Sequence, residues 1–170
     1  MDEIAERAGV SKPVLYQHFP GKLELYLALL DESVAELVGA VSAALASTAD
    51  NSERVPATFR AFFDYVSGAG EAFRLVFESD LSNEPAVRER LDRTMYECAE
   101  MVSEFIREDA GVSNDEADLL GMALVGMAQV SSRYWLSTER TIDQRLAEEL
   151  LARLAWRGIS GWPLAEGTHE

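Results

Sequence analysis

The chain has 170 residues, 48% of them hydrophobic, and a formal net charge of −15 at pH 7. This size fits one domain, or a small domain fused to a larger one. No apolar run reaches the ~18 residues that a membrane span needs, so no membrane partner is predicted. The single cysteine, Cys98, excludes an internal disulfide and indicates a cytoplasmic protein.

Helix start and stop signals divide the whole chain into helices, and no stretch alternates as a strand does. Capping signals mark three of the later helix starts, within residues 50–53, 113–116 and 141–144. The sequence therefore predicts an all-α fold, with helices over about residues 2–8, 12–19, 22–46, 50–67, 71–78, 84–109 and 114–136. A last helix is predicted from the cap at 141–144 to about Trp156 or Gly158.

The first two helices are short and are joined by a tight turn. Gly9 is expected to end the first helix in the left-handed conformation, and Ser11 is expected to cap the second, with Pro13 in its first turn. Small residues at Ala5 and Gly9 allow the two helices to cross closely. The apolar seam between them is expected to comprise Ile4, Ala8, Val10, Leu15 and Phe19.

The outer face of the second helix carries groups that suit DNA. Gln pairs with adenine edges, Val and Pro touch thymine methyl groups, and Lys reaches phosphate or guanine. The free N–H groups at the start of the third helix, next to Lys22, form a predicted phosphate site. The candidate DNA-binding residues of the second helix on this basis are Lys12, Pro13, Val14, Tyr16, Gln17 and His18.

The charge distribution supports this interpretation over a plain pair of amphipathic helices. Both lysines of the chain, Lys12 and Lys22, lie in this segment. Residues 1–26 carry three basic and four acidic side chains, a net of −1, so the other 144 residues carry −14. The acidic body therefore repels DNA everywhere except at this head.

Residues 4–22 resemble the DNA-binding signature of the TetR family of bacterial regulators, I-A-x-x-A-G-V-S-x-x-x-L-Y-x-H-F-x-x-K. The resemblance implies a DNA-binding head over residues 1–26 and a helical effector-binding and dimerisation domain over 27–170. It also implies phosphate contacts from Tyr16, His18 and Lys22, and base contacts from Ser11, Lys12, Pro13, Val14 and Gln17. Members of the family carry one more helix before this pair, so we expect the sequence to start late and its three-helix DNA-binding unit to be incomplete.

The larger domain is rich in aromatic and methionine residues, which in this family surround an effector pocket; the alternative is an ordinary aromatic core. A pocket needs an apolar wall with a few aimed polar groups, which suits a medium-sized, largely apolar ligand, with an anionic group as one option. The candidate ligand residues are Phe62, Phe63, Phe73, Phe77, Arg74, Tyr96, Met101, Gln129 and Arg133.

The last two helices are expected to form a homodimer interface, as the family's last two long helices do; the alternative is packing within one chain. Small residues on one helix and a leucine stripe on the other favour close contact between helices. Two-fold symmetry presents two recognition helices to a palindromic operator. The candidate interface residues are Gly121, Gly126, Leu146, Leu150 and Leu154.

The predicted function is therefore a ligand-responsive, dimeric transcriptional regulator, with repression as the family's usual mode. The alternative is an all-helical ligand-binding or dimerisation module without DNA-binding activity, which the acidic charge favours. An enzyme is not predicted, because His18 and His169 are the only histidines and Cys98 has no sequence partner. No cofactor and no metal are expected.

Overall fold

The computed structural model describes residues 1–68, 83–137 and 142–159. The described part forms seven α-helices: α1 (Asp2–Arg7), α2 (Lys12–His18), α3 (Lys22–Leu45), α4 (Asn51–Gly68), α5 (Pro85–Asp109), α6 (Asn114–Ser137) and α7 (Gln144–Ile159). These bounds agree with the predicted ones to within about two residues, so the all-α prediction is confirmed. The helix predicted over residues 71–78 lies outside the described residues.

Side-chain caps set some of these helix ends and not others. Ser113 and Glu116 form the predicted capping box: the Glu116 carboxylate accepts from the Ser113 backbone N–H at 2.7 Å, and the Ser113 hydroxyl accepts from the Glu116 N–H at 3.4 Å. These bonds from Ser113 lower the pKa of the Glu116 carboxyl, so the cap weakens as the pH falls through that pKa. Ser11 occupies the N-cap of α2 without a side-chain cap bond, which corrects that prediction.

The start of α4 departs from the predicted reciprocal box. The Asp50 carboxylate accepts from the backbone N–H of Ser52 at 2.8 Å. The Glu53 carboxylate instead accepts from the hydroxyl of Thr48 at 3.2 Å. The turn before α4 is therefore closed by two separate side-chain bonds rather than by one Asp50–Glu53 pair.

The main core lies between α4, α6 and α7. Phe63 is completely buried, and its ring centroid lies 5.5 Å from that of Trp135 on α6. Small residues on α7, among them Ala147 and Ala155, allow that helix to approach α4 closely. A second cluster, formed by Tyr26, Leu30 and Val87 with their neighbours, packs α3 against α5. Helix α3 is continuous from the head into this second cluster, so it passes through the predicted domain boundary at residue 26.

Helices α5 and α6 approach most closely at Gly121. A Cβ atom there would lie 2.6 Å from the backbone oxygen of Ala99 and would overlap the hydroxyl of Ser103. That hydroxyl is buried and donates toward the Ala99 carbonyl at 2.8 Å. Gly121 therefore packs inside its own chain, which corrects its predicted place in a dimer interface.

Gly121→Ala is expected to lower the free energy of unfolding by about 2 kcal/mol, because the new methyl group meets backbone that has no room to move. Urea denaturation monitored by circular dichroism measures the change. Gly39→Ala is the control, since a Cβ at Gly39 meets nothing within 4 Å and the residue lies in the middle of α3. We expect that control to raise stability by up to about 1 kcal/mol. Equal effects of the two substitutions would contradict the close approach.

Candidate functional site

The head is built around the turn between α1 and α2. Gly9 has φ of +67°, the left-handed conformation that the sequence predicts, and it is the only positive φ among the described residues. The backbone N–H of Val10 donates to the carbonyl of Ala5 at 3.1 Å and closes the turn. Ala5 and Leu15 are buried where the helices cross. The predicted helix-turn-helix geometry is therefore present.

The seam between α1 and α2 is narrower than predicted. Ile4 and Phe19 are half-buried beside it, in agreement with the prediction. Ala8 and Val10 are exposed, and Val10 keeps 40% of its surface accessible. Both follow the last turn of α1 and lie beyond the point where the helices cross, so they do not belong to the buried seam.

All predicted DNA-contacting positions are exposed. Tyr16 keeps 46% of its surface accessible and Val14 keeps 42%, although both carry large apolar groups. Leu15 is the buried residue of this helix and holds it against α1. The exposed residues of this helix and its N-cap are together called the α2 face: Ser11, Lys12, Pro13, Val14, Tyr16, Gln17 and His18.

Lys12, on the α2 face, is paired within the head. Its ammonium group lies 2.5 Å from the Asp2 carboxylate at the start of α1. The hydrogen bond between them raises the pKa of Lys12 and lowers that of Asp2. Both side chains are more than half exposed, so solvent and salt weaken the pair. A phosphate oxygen is able to replace the carboxylate at little cost.

The start of α3 holds Lys22 in its first turn, in an exposed position. The residue before it, Gly21, is the N-cap and provides no side-chain cap bond. A carboxylate oxygen of Glu24 lies 2.7 Å from the position that a Cβ on Gly21 would occupy. The predicted phosphate site at this helix end is thus shared with an acidic side chain of the chain itself, which the sequence analysis did not anticipate.

A cavity of about 200 Å³ lies between α3, α4, α5 and α6. Its wall is mostly aliphatic and aromatic, with contributions such as Val41 from α3, Phe59 from α4 and Phe105 from α5. Residues of α5 from Leu91 to Asp109 line it, and at 1.5 Å per residue this corresponds to about 27 Å along that helix. The cavity is therefore elongated along the helix bundle.

The predicted ligand residues divide into three groups. Phe62 and Gln129 line the cavity. Four others do not line it: Phe63 lies in the core, Tyr96 and Arg133 are exposed, and Met101 is half-buried outside the lining of the cavity. The remaining three, Phe73, Arg74 and Phe77, lie outside the described residues. The helical period explains the position of Tyr96, since Met95 lines the cavity whereas Tyr96, one residue further on, is 66% exposed.

Several polar residues of the cavity were missed by the sequence analysis. Arg54 is 8% exposed, and its guanidinium lies 4.4 Å from the centre of the Phe105 ring. Tyr65 lines the cavity and donates its hydroxyl to the backbone carbonyl of Ser33 in α3 at 2.7 Å. Cys98 lies in the wall, where burial raises its thiol pKa to about 11. The sequence could have indicated Cys98 through the 3–4 residue spacing that it shares with the other lining positions on α5.

The outer faces of α6 and α7 carry exposed apolar side chains. On α6 these are Leu119, Val130 and Tyr134, each at least 66% exposed. On α7 the predicted leucines are four residues apart, and their exposed fraction rises from 41% at Leu146 to 62% at Leu154. We name the combined surface the α6–α7 face: Leu119, Val130, Tyr134, Leu146, Leu150 and Leu154. Gly126 is partly exposed on α6, and an added Cβ there meets nothing of its own chain.

Within residues 1–68, 83–137 and 142–159, no group of three or more His, Cys, Asp or Glu side chains is placed to hold a metal ion. None of the helices in those ranges combines the length and apolar character that crossing a membrane requires.

Comparisons with known proteins agree with this geometry. The sequence profile described as "Bacterial regulatory proteins, tetR family" matches residues 1–29. The chain is 44% identical over 164 residues to the HTH-type transcriptional activator FasR of Mycolicibacterium smegmatis, covering 96% of this chain and 75% of that protein. It is 28% identical over 174 residues to an uncharacterized HTH-type transcriptional regulator of Mycobacterium tuberculosis, covering 73% of that protein.

Solved structures share the fold. A TetR-like transcriptional regulator from Rhodococcus sp. RHA1 superposes with a TM-score of 0.74 at 23% identity, over 94% of this chain and 84% of that one. A regulator of the TetR/AcrR family from Thermobifida fusca gives a TM-score of 0.64 at 22% identity, over 92% of this chain and 85% of that one. With its Gly9-linked helix pair, its all-helical body and its 44% identical relative, the chain belongs to the tetR family of bacterial regulatory proteins.

Proposed function

We propose that this transcriptional regulator acts in the cytoplasm as a homodimer that binds a palindromic operator through its two α2 faces and is released or retained by an apolar ligand in the cavity. The observation that carries the proposal is the α2 face itself. It presents polar and aromatic side chains outward on a helix held by Gly9 and Leu15, while the rest of the chain is strongly acidic. A surface of this kind fits a DNA groove better than it fits a helical bundle.

Helix α3 is the proposed link between the cavity and the head. It begins next to α2 and lines the cavity at its far end. Polar contacts that hold it to the cavity helices include the bond from the Tyr65 hydroxyl to the Ser33 carbonyl and the bond from the Arg90 guanidinium to the Asp31 carboxylate at 2.7 Å. A ligand that fits one position of α3 better than another shifts the population of dimers able to bind DNA.

The α6–α7 face is the proposed dimer interface. Exposed leucine and aromatic side chains over two adjacent helices form an apolar surface, and such surfaces mark interaction sites on soluble proteins. A two-fold axis through this face joins two copies and places their heads to read two half-sites about 34 Å apart. Repression remains the prediction from the family resemblance, whereas one relative is named an activator. A reporter assay with the selected operator distinguishes repression from activation.

DNA binding is tested by selecting sequences from random duplexes and measuring affinity by fluorescence anisotropy at several salt concentrations. Lys22→Ala is expected to weaken binding to every sequence and to reduce the salt slope by about 2, because each of the two heads loses one phosphate contact. Gln17→Ala is expected instead to change which operator is selected, because Gln17 is proposed to read a base edge.

Arg153→Ala on α7 is the control, since it removes one exposed cation far along the chain from the head. It is expected to leave the slope and the selected sequence unchanged. Absence of any binding at low salt would contradict the proposal and favour a helical module without DNA-binding activity. A Lys22→Ala slope equal to that of the parent chain would exclude Lys22 from phosphate contact.

A further inference from the structure

The charge of the cavity wall defines the class of ligand that it accepts. Among the described residues that line the cavity, two side chains carry a charge, Arg54 on α4 and Asp109 at the end of α5. They lie at the same end of the cavity and form an ion pair, with an Arg54 nitrogen 2.9 Å from a carboxylate oxygen of Asp109. The described part of the wall is therefore neutral overall, and its one charged end is internally compensated.

All three guanidinium nitrogens of Arg54 are engaged by the chain. Its Nε donates to the backbone carbonyl of Leu45 at 3.0 Å, and one terminal nitrogen donates to that of Thr48 at 2.8 Å. The other terminal nitrogen donates to Asp109 and to the side-chain oxygen of Asn51. The guanidinium thus has its charge matched and its plane covered by Phe105, and a ligand anion would have to displace these partners.

Asp109 is engaged through the oxygen that faces Arg54, which also accepts from the side-chain amide of Asn51 at 2.8 Å. Its side chain is 41% exposed, so this ion pair lies at an end of the cavity that solvent reaches. A cation entering there would meet the Arg54 charge beside the carboxylate, and an anion would meet the carboxylate beside Arg54. Along the rest of the described wall no charged side chain is available to pair with an ion of either sign, so burying an ion there is unfavourable.

The other polar side chains of the described wall are neutral: the amides of Asn51 and Gln129, the Cys98 thiol, the Trp156 indole and three hydroxyls. The hydroxyls have partners in the chain. Thr58 donates to the Arg54 carbonyl at 2.9 Å, Thr94 donates to the Arg90 carbonyl at 2.8 Å, and Tyr65 donates to Ser33. Their oxygens keep acceptor capacity for a weakly polar N–H or O–H group. The wall suits a molecule with few hydrogen-bonding groups and no ionised one.

We infer that the ligand portion held in this cavity is uncharged, an elongated apolar group without an ionised substituent. This inference rests on the proposed role of the cavity as the effector site, and it replaces the anionic option that the sequence alone left open. Asp109 is the residue that determines the discrimination against anions, because its carboxylate compensates the Arg54 charge.

The test uses two dyes with the same aromatic skeleton, N-phenylnaphthylamine, which is uncharged, and anilinonaphthalene sulfonate, which carries one negative charge. Cys98 reports occupancy of the cavity, since it is the single cysteine of the chain and lies in the cavity wall. Its alkylation by N-ethylmaleimide, followed by intact mass, is slowed only by a dye bound next to it. Dye bound on the exposed α6–α7 face does not protect it.

The uncharged dye is expected to protect Cys98 at a concentration at least ~10-fold lower than the sulfonate, because the sulfonate would be buried without a counter-charge. Asp109→Asn is expected to raise protection by the sulfonate about 10-fold, because Arg54 then lacks its carboxylate, and to leave the uncharged dye unchanged. Asp118→Asn is the matched control: this carboxylate pairs with Arg107 on the surface and does not line the cavity.

Equal protection by both dyes would overturn the inference while leaving the cavity as a ligand site. Failure of both dyes to protect Cys98 would overturn the inference and the effector site together. An Asp109→Asn chain that still excludes the sulfonate would overturn the role of Asp109. None of these outcomes depends on operator binding. The dye experiment therefore tests the ligand inference even if the DNA-binding proposal fails.

Discussion

Arg54→Met is expected to lower the free energy of unfolding by about 3 kcal/mol, which is a large effect for a single arginine in a chain of this size. Arginines are normally exposed, and their replacement usually changes stability by less than about 0.5 kcal/mol. Arg54 differs because its side chain is 9% exposed and joins three segments of the fold.

The physical reason lies in the carbonyl groups that Arg54 satisfies. Leu45 is the last residue of α3, and Thr48 lies in the link between α3 and α4. The Arg54 guanidinium donates to the backbone carbonyl of each. Methionine fills the space and keeps contact with the aromatic ring, but it leaves these acceptors and the Asp109 carboxylate without their donor. An unsatisfied buried acceptor costs about 1–3 kcal/mol, and two or more are affected here.

Urea denaturation of the purified chain measures the loss, with Arg93→Met as the control. Arg93 forms a comparable ion pair with Glu89, but both side chains are 70% exposed, so its removal is expected to cost less than about 1 kcal/mol. Asp109→Asn is expected to cost about 1 kcal/mol, because an amide oxygen still accepts from Arg54. If Arg54→Met were no more destabilising than Arg93→Met, the contacts of Arg54 would contribute little to stability.

The helices of this chain could be predicted because their signals are local. Gly9 takes the conformation that a Cβ disfavours, and Ser113 with Glu116 forms the box that their spacing indicates. Bounds set by such caps depend on residues three or four apart, which a sequence displays directly. The α2 face was predictable for the same reason, since the helical period turns the neighbours of Leu15, such as Val14 and Tyr16, away from its buried side.

The cavity could not be predicted in the same detail, because its wall is assembled from helices that are distant in sequence. Met95 and Tyr96 both have side chains that suit an apolar pocket. Only the orientation of α5 about its own axis decides that Met95 lines the cavity and Tyr96 faces solvent. Arg54 was missed since nothing local indicates that the carbonyls of Leu45 and Thr48 turn toward it. Gly121 was assigned to the wrong contact because a small residue permits close approach without indicating which helix approaches.

Leu150→Glu is expected to convert the proposed dimer into a monomer and to lower affinity for a palindromic operator about 100-fold. Leu150 is 48% exposed and lies midway along the leucine stripe of α7, between Leu146 and Leu154. In a two-fold interface each substitution occurs twice, so two carboxylates are buried in an apolar contact and each lacks a partner. A monomer reads one half-site and loses the gain in effective concentration that links the two heads.

Sedimentation velocity at micromolar concentration and anisotropy on the selected operator measure the two effects, and far-ultraviolet circular dichroism checks that the helices remain. Arg145→Gln is the matched control, because it changes the net charge by the same single unit on the same helix. Its side chain is 84% exposed and lies off the leucine stripe, paired loosely with Glu149 at 3.9 Å. A Leu150→Glu chain that sediments as a dimer and binds the operator as tightly as the control would place the dimer contact elsewhere. Monomers with unchanged operator affinity would instead show that one α2 face suffices, which contradicts the palindromic arrangement.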